Sequence, residues 1–172
     1  MRLFHVSENG GIAVFRPRKP ERDDLRESPP LVWALREDCL PNYLLPRECP
    51  RVTFHVVDAT TEQDQEKHLS SAARHVVAVE SRWFGRIQAA TLYLYEFDSS
   101  GFERQDETAG YYVSKTPQRP VAIHQVADVP AALFARGIEL RVLPELFTLR
   151  GKIIGSSFAW SMIKMGNARP AE

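Results

Sequence analysis

The sequence predicts an α+β fold: one globular domain with a mixed, mainly antiparallel sheet core and three to four short helices. Two observations lead there. Strand-like runs of β-branched and aromatic residues outnumber helical stretches. The helices also fail to alternate with strands in the regular way a doubly wound parallel fold requires. With 172 residues, 44% hydrophobic and 26% charged, the chain can bury a sizeable core. No repeat or low-complexity segment divides it, so residues 1–172 read as one domain.

Arg2 to Val6 and Ile12 to Phe15 read as strands flanking Asn9-Gly10-Gly11, residues that tolerate positive φ in a turn. Residues 16–30 carry prolines and dense mixed charge and read as a long exposed loop, a length usually tied to function. Leu31 to Leu35 is an apolar run bounded by Pro-Pro and charge, hence a buried strand. Proline-punctuated turns or a short helix follow from Cys39 to Pro50, and then a strand from Arg51 to Val57. The helix expected next starts on the Thr60 and Gln63 capping-box spacing and has a thin apolar stripe. His75 to Ser81 is a buried strand, and a short helical connection leads to Thr91 to Phe97, where leucines alternate with tyrosines. Further strands are expected in FERQD, YYVS and RPVAIHQV. The clearest helix is DVPAALFARG, with Asp128 as cap, Pro130 in the first turn and Gly137 as stop. IELRVL, PELFTLRGKI and SFAWSMIK complete the chain as strand, helix and strand.

Composition narrows the function classes. Twenty-two basic residues balance 22 acidic ones, so no global field recruits nucleic acid or anionic lipid. No apolar run approaches the ~20 residues of a membrane span, and the N-terminus lacks the pattern of a secretory signal. Two cysteines do not make a disulfide framework, so a reduced, cytoplasmic setting is expected. Phosphate-loop, dinucleotide, metalloprotease and esterase motifs are absent. Cys39, Cys49 and His55 lack the spacing of a zinc knuckle and read as packing residues, so no metal is expected.

Individual residues carry the remaining chemistry. His5, His55 and His124 fall in strand-like runs, where a hydrogen-bonded structural role is the common one. Glu139, between Ile138 and Leu140, must face solvent, a partner or a cleft, because burying it unpaired is expensive. Trp33 is flanked by apolar residues and can pack or stack on a flat ring. Tyr111 and Tyr112 point to opposite faces, so only one lines any given surface.

The opening strand LFHVS, the I-x-x-F-x-P-R segment after it and the VWAL strand resemble the ADP-ribosyltransferase-like superfamily. Most of the chain, including PNYLLPRECPRVTFHV and AGYYVSKTPQRP, also looks like a bacterial family of uncharacterised proteins. The superfamily resemblance implies a split two-sheet core holding NAD or ADP-ribose in a cleft. It implies a ribose-binding histidine, a tyrosine stacked on nicotinamide and a glutamate favouring the oxocarbenium-like transition state. His5 matches the histidine and Ser7 the serine two residues on, with Val6 in place of the usual glycine. The tyrosine position falls at Val32 or Trp33, and Tyr111 or Tyr112 lies near the start of the glutamate's strand. His5 and Glu139 are the catalytic candidates, with Glu107 a further glutamate. His5, Ser7, Arg16, Arg18, Trp33 and Tyr112 are the candidate ligand-binding residues, the arginines serving a pyrophosphate. The competing expectation is a non-catalytic interaction module that presents Tyr93 and Tyr95 to a protein partner.

Overall fold

A computed structural model of the chain describes residues 1–19, 29–106 and 109–170. The middle of the 16–30 loop and Glu107 lie outside the described residues. The α+β class holds, with two mostly antiparallel sheets and several short helices. In chain order the strands are β1 Arg2–Ser7, β2 Val32–Arg36, β3 Arg51–His55, β4 His75–Glu80, β5 Leu92–Asp98, β6 Glu103–Asp106, β7 Tyr111–Ser114, β8 Ala122–Val126, β9 Glu139–Leu143 and β10 Ala159–Ile163. The helices are α1 Glu62–His68, α2 Phe84–Ala89, α3 Val129–Phe134 and α4 Phe147–Ile154. No helix among the described residues is long and apolar enough to cross a membrane. The chain gathers into two compact units, one from residues 1–40 and 91–126, the other from residues 41–90 and 127–172.

The first unit is a six-stranded antiparallel sheet in the order β6-β7-β2-β1-β5-β8, with β1 near its middle. The sequence asks for that position. Leu3 and Phe4 are both buried yet point to opposite faces, so β1 needs cover on each side. On the Leu3 face a core forms from Leu3, Phe15, Val32, Ala34, Tyr95 and Phe97. Phe15 meets Tyr95 and Phe97 edge-on, with ring centroids 4.9 and 5.1 Å apart. At one edge β6 exposes Glu103, Arg104, Gln105 and Asp106, a charged rim that discourages pairing with another chain.

The second unit is a four-stranded sheet in the order β10-β3-β4-β9, in which β4 and β9 run parallel and the other pairs antiparallel. Val76 to Val79 are fully buried, as a continuous apolar strand covered on both faces must be. Helix α4 packs Leu149 and Ile153, with Leu146 before them, against Val52, Phe54, Val76 and Ala78. Asp128 caps α3 through the Ala131 N–H at 2.9 Å, and Gly137 ends that region at φ +70°, both as the sequence predicts.

Three local expectations are corrected. Ile12 to Phe15 is not a strand; only Phe15 pairs there, in a single bridge to Gln118. α1 is capped by Thr61 rather than Thr60. The Thr61 hydroxyl accepts from the Asp64 N–H at 3.2 Å, while Thr60 turns back to accept from Val57 N–H at 2.8 Å. α4 begins at Phe147 rather than at Pro144, because Glu145 stays outside and accepts from the Thr148 N–H at 3.0 Å.

Candidate functional site

β1 pairs with β5 along its whole length, from Arg2 opposite Asp98 to Ser7 opposite Tyr93. Its other edge pairs with β2 only at Leu3–Arg36 and Phe4–Leu35. Beyond that point β2 takes another partner, since Leu31 exchanges two 3.0 Å backbone hydrogen bonds with Arg18. The ladder between the two central strands therefore ends after Phe4, just before His5.

His5 stands at that point. Its Nδ1 donates to the Trp33 carbonyl at 3.0 Å, and its ring lies against Phe15 with centroids 4.9 Å apart. A carbonyl oxygen can only accept, so Nδ1 carries the hydrogen and Nε2 of the neutral ring is the acceptor. The imidazole is half-buried and held in one tautomer by that bond. Ser7 lies two residues on, on the same face. Its Oγ accepts from the Asn9 N–H at 3.0 Å, so its hydroxyl hydrogen is the group it offers to an acceptor.

The turn beyond β1 is stapled from beneath. The fully buried Tyr95 donates its hydroxyl to the Asn9 carbonyl at 2.6 Å and accepts from the Ile12 N–H at 3.0 Å. Gly10 lies flat on the Tyr93 ring, where any Cβ would collide with ring carbons. Tyr95→Phe should therefore cost about 1–3 kcal/mol, the price of two unmade hydrogen bonds at a partly buried turn. Urea unfolding checks this; an unchanged midpoint would mean that the turn is held by other contacts. This packing corrects one part of the interaction-module expectation: Tyr95 is sealed in the core and cannot face a partner, while Tyr93 is half-buried beside Gly10.

The structure brings together some of the sequence candidates and separates others. Tyr112, opposite Ala34 in β7, packs at the margin of the core on the His5 face. Arg16 and Arg18 are exposed in the segment that bridges to Gln118 and Leu31. Trp33 does not join them. Strand alternation turns its side chain to the opposite face, where it meets Tyr111 edge-on at 5.5 Å, and only its carbonyl reaches His5.

Glu139 belongs to the second unit, at the start of β9. Arg141 donates to its Oε1 from Nε at 2.9 Å and from Nη2 at 2.7 Å, and Ser71 Oγ donates to Oε2 at 2.6 Å. Although burial opposes ionisation, the Ser71 hydroxyl and Arg141 guanidinium hold its carboxyl below the usual range. Glu139 is thus paired within its own unit. Cys39 and Cys49 are buried thiols pushed up to about 11 by desolvation, and among the described residues no three metal-ligating side chains cluster.

Sequence reasoning missed Tyr95 as the staple of the turn and His75 as the partner of His55. The alternation of tyrosines and leucines in β5 was a usable signal for the first. No local signal exists for the second, because it depends on strand register.

The chain belongs to a family of unknown function (DUF6886), which matches residues 4–168. No curated protein and no solved structure matches it.

Proposed function

We propose that the six-stranded unit binds an NAD- or ADP-ribose-like nucleotide where β1 parts from β2. His5 Nε2 accepts from a ribose hydroxyl and the Ser7 hydroxyl donates to a neighbouring oxygen. Arg16 and Arg18 approach the pyrophosphate, with the bidentate geometry that suits phosphate oxygens. Tyr112 flanks the ligand on the same face. The observation that carries this reading is the early end of the β1–β2 ladder, with His5 locked in one tautomer at that point. The resemblance of LFHVS and VWAL to the ADP-ribosyltransferase-like superfamily supports the choice of ligand.

The reading is binding rather than turnover. Glu139 is engaged by Arg141 and Ser71, and Tyr112 offers a phenol near the place where the superfamily's glutamate is expected. A phenol does not favour a developing oxocarbenium ion as a carboxylate would. Thermal unfolding of the full chain in the presence of NAD, ADP-ribose and ATP tests the proposal. A ligand at about a hundred times its Kd stabilises the native state by about 2.7 kcal/mol, so a rise in Tm is expected with ADP-ribose or NAD. No shift with any of the three at millimolar concentration would sink it.

A further inference from the structure

We propose that His55 and His75, on the four-stranded unit, form an exchangeable site for a zinc-class divalent transition-metal ion. The two residues are direct partners across the antiparallel β3–β4 pair. Val56 N–H donates to the Arg74 carbonyl at 2.9 Å, which makes 56 and 74 the hydrogen-bonded pair. His55 and His75 are therefore a non-hydrogen-bonded pair, the arrangement in which opposed side chains come closest. Their rings stand 4.9 Å apart between centroids and tilted by 36°, both half-buried.

That spacing suits chelation. Two imidazole nitrogens each ~2.0–2.1 Å from one zinc ion lie roughly 3.3 Å apart in a tetrahedron, within reach of these rings by small χ rotations. Asn42 Oδ1 lies 3.0 Å from His75 Nε2. An amide oxygen only accepts, so Nε2 carries the hydrogen and Nδ1 presents the lone pair. This is the outer-shell arrangement that orients metal-ligating histidines. Asn42 is in turn fixed by its own carbonyl, which accepts from Arg51 Nη1 at 3.4 Å. On the other side of His55 the register partner is the small Ala159. Two protein ligands with the remaining positions open describe an exchangeable ion, unlike the closed four-ligand sites that hold structural zinc.

The site differs from the cysteine-containing set considered in the sequence. Cys49 keeps its proton at neutral pH, and Cys39 belongs to the other unit.

Calorimetric titration of the full chain with Zn(II) should give saturable one-to-one binding, with no comparable response to Mg(II). Ni(II) added to the wild type should broaden the ring resonances of His55 and His75 before those of His5, His68 or His124; this readout needs no variant. His55→Ala and His75→Ala, checked for folding by circular dichroism, should each abolish saturable binding. Asn42→Asp keeps the acceptor and adds charge, and should tighten binding roughly tenfold. Absence of saturable Zn(II) binding, broadening that begins at other histidines, or unchanged affinity in a folded His75→Ala protein would each overturn the proposal.

Discussion

Arg51→Met should destabilise the protein by about 3–5 kcal/mol, the scale seen when one partner of a buried charged network is removed. Arg51 is 2% exposed at the start of β3. Its guanidinium donates to the carbonyls of Cys49 at 2.9 Å, Asn42 at 3.4 Å, Pro46 at 3.1 Å and Arg47 at 3.2 Å. After the 3-10 helix Glu37–Tyr43, the rest of the segment leading to β3 has few backbone hydrogen bonds of its own, so one side chain supplies what a sheet would otherwise provide. Methionine fills much of the volume and none of the hydrogen bonds, and each buried carbonyl left unmade costs about 1–3 kcal/mol. Arg51→Lys should recover only part of the loss, because an ammonium is a point donor and cannot span four acceptors. Urea unfolding measures both, and a loss below about 1 kcal/mol for methionine would show that water replaces the guanidinium at little cost.

Glu80→Ala should cost about 3–5 kcal/mol by the same logic at the same end of the sheet, one residue beyond the Val79 that faces Arg51. Glu80 is fully buried at the C-terminal end of β4. Its carboxylate accepts from Arg82 Nε at 2.7 Å and from the Arg169 N–H at 2.7 Å. Arg82 also donates from Nη2 to the Asn167 carbonyl at 2.6 Å, so Glu80 and Arg82 together latch the C-terminal segment to the sheet. Alanine removes both acceptors and leaves a cavity. Glu80→Gln keeps an acceptor for the Arg169 N–H, and the Arg82 side chain, 52% exposed, is readily solvated. The glutamine variant should therefore lose only about 1–2 kcal/mol. Equal losses for alanine and glutamine would mean that the charge, rather than the hydrogen bond to the tail, dominates. Hydrogen exchange should show residues 164–169 opening first in the alanine variant.

Much of the fold was legible because it is written locally. The β-branched and aromatic runs of β1, β3, β4 and β5 announce strands, and Asp128, Pro130 and Gly137 bracket α3. What failed locally failed for tertiary reasons. Ile12 to Phe15 has strand composition, but Tyr95 captures the turn before it and Phe15 is drawn over the core, so one bridge forms in place of a ladder. Thr60 and Thr61 are chemically equivalent caps. Ser157, 96 residues away from Thr61, donates part of the answer, since the Thr61 N–H donates to its Oγ at 2.9 Å.

The candidate site was legible to the same extent. His5 and Ser7 sit on one strand, so their shared face follows from alternation. Trp33 lies on another strand, and whether its ring faces His5 depends on a register that no short window encodes. The same reason hid His75 opposite His55. Two buried charges, Arg51 and Glu80, were also unreadable, because a strand terminus exposes or buries such a residue according to what packs over it.

The proposed nucleotide site requires His5 to be a ligand residue rather than a core histidine. Paired measurements on His5→Ala test it most directly: urea unfolding for stability, and calorimetric titration with ADP-ribose for affinity. The ligand role predicts affinity weakened by about 1–2 kcal/mol, over and above any stability lost with the hydrogen bond from His5 Nδ1 to the Trp33 carbonyl. A mutant destabilised by roughly 1–3 kcal/mol that binds ADP-ribose as tightly as the wild type would contradict the claim.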